Sequence, residues 1–325
     1  MNAARKKHTK RKLELPKKQY ALNQCALYGI RGLGRLGVIL CWRGVPAELE
    51  QFADSPNNYR TWFEDGREIQ SPVDDLRAIH TRIATLLRRV QPPEYRQSGI
   101  RKRSFLTNAQ QHLADDPSIK VDIRKFYPST SFDHVRRFFK RDLQCAGDVA
   151  IVLTKLCCYR KDLGHSGHLP TGGVHSEVLG FYCHKRTFDA LLARTAARGG
   201  AMSVYVDDIM ATMPNASLTD LEWVRRLFSC AGIEMHRGKS KVIPKQAPKT
   251  ITGVIIRNGK TTAPAAQHRK LKELEVALAE AADPEEKKRI ARSLVGHLDH
   301  IAQIDARFKA RAVGTRGRLA SLVKD

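Results

Sequence analysis

The chain has 325 residues, 42% of them apolar, and 57 Lys and Arg against 33 Asp and Glu leave a formal net charge of +24. The apolar share is ample for a packed core, and the basic excess implies an acidic partner, most simply nucleic acid held by salt-sensitive contacts. Seven irregularly placed cysteines argue against a disulfide framework and for a reducing cytoplasm, and no apolar run approaches the length of a membrane span.

Residues 1–20 carry the charge runs Arg5-Lys6-Lys7, Lys10-Arg11-Lys12 and Lys17-Lys18 with no apolar stretch directly behind them. This reads as a basic arm, lying on RNA or merely solubilising, and not as a signal peptide. Residues 21–115 read as N-terminal helices and the segment around Asp65-Gly66-Arg67. Ser71 as a cap, Pro72 in the first turn and Asp74 three residues on predict a helix through Val73, Leu76, Ile79, Ile83 and Leu86, stopped by Pro92-Pro93.

Residues 116–258 form the region with chemistry in it. Ser118 to Ile123 alternates with period 2 and carries Asp122, then runs into Phe126-Tyr127-Pro128. Tyr205-Val206-Asp207-Asp208 lies between short apolar flanks and reads as strand, tight turn, strand. Two adjacent carboxylates repel unless a cation neutralises them. A third from the neighbouring strand, Asp122, would place three at one sheet edge, where a pair of Mg²⁺ ions about 3.5–4 Å apart suits in-line phosphoryl displacement. Between these segments, helices at about 133–176 are read as an insertion. Cys157, Cys158, His165 and His168 offer mixed ligands that suit zinc, although the spacing fits no common zinc module and the histidines flank a glycine loop where phosphate is an equal partner.

Residues 259–325 change to helical periodicity. Leu271, Leu274 and Leu278 share one face, Asp283-Pro284-Glu285-Glu286 makes a new capping box, and Ile290, Leu294, Leu298, Ile301 and Phe308 continue a second stripe. Lys287, Lys288, Arg292 and Arg307 fall on the opposite face, placed to track a duplex.

Taken together, these motifs resemble the reverse transcriptases. Tyr205-Val206-Asp207-Asp208 is similar to their Tyr-x-Asp-Asp box, and Asp122 with Phe126-Tyr127 to their first palm motif. Leu169-Pro170-Thr171-Gly172-Gly173 is similar to the Leu-Pro-x-Gly segment, with Val174 and Glu177 where the family usually has proline. Gly232 to Ser240 resembles the motif ending in Lys-Thr, with His236 for asparagine and Ser240 for threonine. Asn108-Ala109-Gln110-Gln111-His112 and Ile251-Thr252-Gly253, in that order, are similar to the two elements that distinguish the retron branch.

The resemblance implies an α+β, right-hand polymerase with fingers, an antiparallel-sheet palm and a helical thumb. It implies metal binding by Asp122, Asp207, Asp208 and the carbonyl of Ile123, with two Mg²⁺ ions as cofactor. Lys239 would protonate the departing pyrophosphate, and Arg67 would clamp the triphosphate, for which a guanidinium fork is suited. Tyr127 becomes the gate against a ribose 2′-hydroxyl, or else a core aromatic. Gly172 and Tyr205 complete the substrate contacts. Nucleic-acid contacts fall to Asn108, His112, Thr252, Gly253, Lys287 and Arg292, with His112 reading equally as a packed, hydrogen-bonded group.

Retron relatives copy part of a structured non-coding RNA into DNA from an internal guanosine 2′-hydroxyl, leaving branched RNA-linked DNA (msDNA). They act in anti-phage defence beside a toxic effector protein. By that resemblance the partners are this RNA and its product, deoxynucleoside triphosphates, the effector, and a host ribonuclease H, since little sequence follows the thumb. The alternatives are a defence reverse transcriptase outside the retrons, or an RNA-binding scaffold that sequesters a toxin.

Overall fold

A computed structural model of the chain describes residues 19–161 and 166–323. The charge runs up to Lys18, and His165, lie outside the described residues. In chain order the elements are α1 (Leu33–Leu40), α2 (Pro46–Ala53), β1 (Tyr59–Glu64), β2 (Arg67–Pro72), α3 (Asp74–Arg88), α4 (Phe105–Gln110), β3 (Ser118–Asp122), α5 (Phe126–Ser129), α6 (Phe132–Arg137) and α7 (Gly147–Cys157). Then come α8 (Ser176–Ala196), β4 (Ala201–Tyr205), β5 (Asp208–Thr212), α9 (Leu218–Cys230), β6 (Lys241–Ile243), β7 (Lys249–Ile251), β8 (Val254–Arg257), β9 (Lys260–Thr262), α10 (Ala265–Glu280), α11 (Pro284–Ile304), α12 (Lys309–Arg318) and α13 (Ala320–Val323). Among the described residues the strands pair antiparallel, with isolated parallel bridges at Tyr20–Val90 and Arg96–Val204, so the α+β class expected from the sequence is the class observed. Among the described residues no helix is long and apolar enough to cross a membrane.

The chain parts into two compact units, one made of residues up to Pro92 with Ser131–Cys183, the other of Pro93–Thr130 with His184 onward. The first break falls at Pro92.

In the first unit β1 and β2 pair from Tyr59↔Pro72 to Glu64↔Arg67. Asp65 (φ 49°) and Gly66 (φ 71°) are both left-handed, as a two-residue hairpin turn that follows strand twist requires. The helix expected from Ser71 starts later. Ser71 and Pro72 belong to β2, α3 begins at Asp74, and Val73 precedes it without a side-chain cap. The ladder to Tyr59 and Arg60 outweighs the capping preference, and the Ser71 hydroxyl instead accepts from Arg77 at 2.8 Å. Within the helices expected at about 133–176, α6 is short and gives way to a π turn, Phe138–Asp142, that buries Phe138 and Phe139.

In the second unit one sheet runs β4-β5-β3-β6 and another β7-β8-β9. Ile251, Val254 and Ile256 from the second sheet share a core with Met210, Ile243 and Ala109, and with Leu271, Leu294, Leu298 and Ile301 from α10 and α11. The predicted apolar stripes of the C-terminal helices thus pack on a sheet. Asp283 caps α11 as expected, its carboxylate accepting from Glu286 N at 2.8 Å. Asp220 on α9 receives Arg194 (2.8 Å) from α8 and Arg198 (2.7 Å) just beyond its end. Although burial opposes it, these two guanidinium groups and Ser217 hold its pKa down to about 2.

Candidate active site

Strand periodicity sets this site. In β3 the buried Ile119 and Val121 alternate with Lys120 and Asp122, which share the other face. In the antiparallel register Asp122 lies opposite Asp208, and Tyr205 lies opposite Asp208 from the other side. The turn between β4 and β5 is only Val206-Asp207. Val206 has φ +59°, a left-handed conformation that a β-branched residue adopts only under strain. Its N–H donates to Ser98 Oγ at 3.3 Å, and Asp207 O accepts from Ile123 N at 3.0 Å. The sheet therefore brings Asp122, Asp207, Asp208 and Ile123 to one edge.

The segment from Gly232 to Ser240 closes the end of β3. Arg124 N donates to Glu234 O (2.9 Å) and His236 N to Asp122 O (2.8 Å). Ser240 Oγ accepts from Asp122 N at 3.1 Å, so serine in place of threonine keeps the hydroxyl that matters here. Lys239 Nζ lies 3.5 Å from Asp122 Oδ2 and is 60% exposed, free to swing towards a ligand.

Lys120, which motif matching passed over, is the other cation of the site. Its Nζ donates to Asp208 Oδ2 at 3.2 Å and to Thr250 O at 3.2 Å. Period 2 could have revealed it, two residues before Asp122 on the same face. Burial pushes the Asp208 carboxyl above the usual range, Asp207 and Asp122 add to this, and Lys120 opposes it. Asp208 Oδ1 is buried with no hydrogen-bond partner. A buried anionic oxygen left in that state is costly, and a hard cation that takes carboxylate oxygens is the group such a donor set fits. Among the described residues no three Asp, Glu, His or Cys side chains come close enough together to hold a metal ion. Lys120 and Lys239 instead pair with Asp208 and Asp122.

The remaining expected residues fall in several places. Tyr127 is half-buried on α5, its ring 5.4 Å from that of Phe126. Asn108 on α4 donates to Thr252 Oγ1 at 3.3 Å, and Thr252 Oγ1 donates to Phe105 O at 2.8 Å. The two short elements, 144 residues apart, are thus bonded to each other. Thr252 (φ 44°) and Gly253 (φ 81°) form the left-handed turn between β7 and β8, with Gly253 at the exposed tip. His112 is corrected from nucleic-acid contact to core: it is fully buried, with Nδ1 2.9 Å from Thr212 Oγ1 and Nε2 2.8 Å from Ser203 Oγ. Both ring nitrogens are committed, so nothing remains for a ligand. Lys287 and Arg292 lie on the exposed side of α11, while Lys288 pairs with Glu285 and Arg307 with Asp305.

Arg67 and Gly172 belong to the other unit. Arg67 is exposed at the start of β2. A Cβ on Gly172 would meet Gln70 O at 2.6 Å, so the close backbone approach this glycine permits is to β2. Cys157 and Cys158 are buried, and burial keeps both thiols protonated by raising their pKa, whereas zinc needs thiolates. His168 spends Nδ1 on Leu169 O at 2.8 Å.

No family model matches the chain. The Retron Se72 reverse transcriptase of Salmonella heidelberg (strain 579083-10) is 27% identical over 144 residues, 44% of this chain and 36% of that protein. The Retron Mx162 reverse transcriptase of Myxococcus xanthus is 25% identical over 245 residues, 66% of this chain and 50% of that protein. In sequence this chain is similar to retron reverse transcriptases. It spans 36% to 58% of the length of these and the Escherichia coli Retron Ec86 reverse transcriptase, to which it is 26% identical. A telomerase from Candida albicans, solved with a fragment of telomeric RNA, superimposes with a TM-score of 0.50 at 10% identity, over 86% of this chain and 56% of that one. At that identity the likeness concerns the fold.

Proposed function

We propose that the chain is an RNA-directed DNA polymerase of the retron type. One observation carries the reading: Asp122 and Asp208 face each other across β3 and β5, beside Asp207, with a buried Asp208 oxygen left unpartnered. Asp122, Asp207, Asp208 and the Ile123 carbonyl would hold two Mg²⁺ ions. When bound, these activate the attacking hydroxyl and neutralise charge on the leaving pyrophosphate. Lys239, already beside Asp122 and largely exposed, carries the proton to the leaving group. Ser98 and Ile123 hold the Val206-Asp207 turn in place by their hydrogen bonds, so positioning is built in before substrate arrives.

In this reading Arg67 lies in the fingers, β3 to β6 form the palm, and residues 259–325 act as the thumb, with Lys287 and Arg292 against nucleic acid. The template is a structured RNA of the retron kind, primed from a guanosine 2′-hydroxyl, and the product is branched RNA-linked DNA made in the cytoplasm beside a defence effector. The relatives' names and the net charge of +24 support this. The test is the nucleic acid that co-purifies with the expressed protein and its neighbouring genomic RNA. One short, defined, deoxyribonuclease-sensitive species linked to RNA is expected, and heterogeneous RNA without attached DNA overturns the retron assignment.

Tyr127 supplies sugar selection, its ring steadied against Phe126. Tyr127→Ala is expected to raise ribonucleotide incorporation by one to two orders of magnitude, about 1–3 kcal/mol of lost steric discrimination. Single-nucleotide extension with matched deoxy- and ribonucleotides measures this, and an unchanged ratio removes the gate.

A further inference from the structure

Tyr127 sits on α5, a helix of only four residues. So short a helix has little stability of its own, and its placement depends on what it is bonded to. Lys125, just ahead of it, has φ +48°, a left-handed conformation that a residue with a side chain keeps only when its surroundings enforce it. Thr130, which closes α5, is 0% exposed. Its Oγ1 donates to Phe126 O at 2.8 Å, and its N–H reaches Phe126 O and Tyr127 O, both at 3.1 Å. A hydroxyl has one proton to give, so His184 Nε2, 2.9 Å from Thr130 Oγ1, is the donor of that contact. His184 comes from α8, is 2% exposed, and has its ring 5.8 Å from that of Phe126, which in turn lies 5.4 Å from that of Tyr127. Every member of this set belongs to the second unit.

We propose that His184 and Thr130 are positioning residues for sugar selection: the relay from His184 Nε2–H through the Thr130 hydroxyl to Phe126 O fixes the turn that aims Tyr127. The inference rests on the gate role given to Tyr127 and adds the groups that hold the gate. A steric filter discriminates only while it cannot give way, because a ring able to shift aside admits the extra hydroxyl. Away from water each hydrogen bond of the relay strengthens the next, which suits it to hold a strained turn. The rings act in the same sense, since Phe126 has His184 as one neighbour and Tyr127 as another.

Single-nucleotide extension by the full chain, with matched deoxy- and ribonucleotides, gives the ratio of the two kcat/KM values. Both substrates meet the same preparation, so partial unfolding of a variant cancels from the ratio. Thr130→Val, which keeps the shape and deletes the hydroxyl, is expected to lower the preference for deoxynucleotides about five- to tenfold. His184→Phe, which keeps a ring beside Phe126 and deletes Nε2–H, is expected to do the same, while Thr130→Ser retains the wild-type ratio. Ser129→Ala removes another donor from Phe126 O, at 3.0 Å, without touching His184, and is expected to leave the ratio within about twofold. In a Tyr127→Ala background Thr130→Val adds no further change. An unchanged ratio in Thr130→Val or in His184→Phe, or a loss that persists undiminished in the Tyr127→Ala background, overturns the positioning role. The readings fail separately. Absence of synthesis by the wild type overturns the polymerase reading, whereas an intact ratio in these variants, with synthesis and the Tyr127→Ala effect both present, overturns the positioning role alone.

Discussion

Asp207→Asn combined with Asp208→Asn abolishes DNA synthesis while RNA affinity stays within about twofold. The amides keep the size of the carboxylates but remove both charges from the sheet edge where Asp122 and Asp208 face each other. Two-metal displacement draws several kcal/mol from charge neutralisation, so a loss of about 10³-fold or more is expected. Lys120 loses its anionic partner at 3.2 Å but keeps the Thr250 carbonyl, which limits the structural cost. Primer extension and filter binding on the same purified preparation separate the two effects. Synthesis at close to the wild-type rate would falsify the assignment of these carboxylates.

His112→Ala is expected to destabilise the protein by about 3–4 kcal/mol at pH 7.5, adding a cavity to an orphaned Ser203 hydroxyl. The imidazole is the bridge between Ser203 on β4 and Thr212 on β5, and Ser118 Oγ lies 2.8 Å from the same Thr212 hydroxyl. β3 and β5, which carry Asp122 and Asp208, and β4, which carries Ser203, thus lean on one buried polar chain. Burial, assisted by the Lys249 ammonium, pushes the His112 pKa down to about 3, against about 6.5 when unfolded. Between those values the unfolded chain takes up a proton that the folded chain refuses. The contribution of His112 is therefore complete above about pH 6.5 and declines on acidification towards pH 3. At pH 5 the difference between wild type and His112→Ala should shrink by about 2 kcal/mol. Urea unfolding at the two pH values measures it. A variant that loses RNA affinity with no loss of stability would return His112 to the nucleic-acid surface.

Local patterns were sufficient for much of this molecule. Alternation around Asp122 marked a strand, and apolar flanks around Asp207-Asp208 marked a hairpin. Asp283 to Glu286 marked a helix start. Each depends on dihedral preference or side-chain period within a few residues, which a chain carries wherever it folds. Reading Ser71-Pro72 as a helix start failed because the ladder to Tyr59 and Arg60 is a non-local gain larger than a cap.

Long-range pairing settled the rest. No local rule places His112 between two strands about a hundred residues away, or joins Asn108 to Thr252 across 144 residues. Lys120 is an unremarked lysine in the sequence and meets Asp208 only through the β3–β5 register. Residue types and periods along the chain thus named the carboxylates and the elements that carry them. Register and burial, which arise when distant strands exchange hydrogen bonds and exclude water, chose which cations meet those carboxylates and which polar groups are sealed inside.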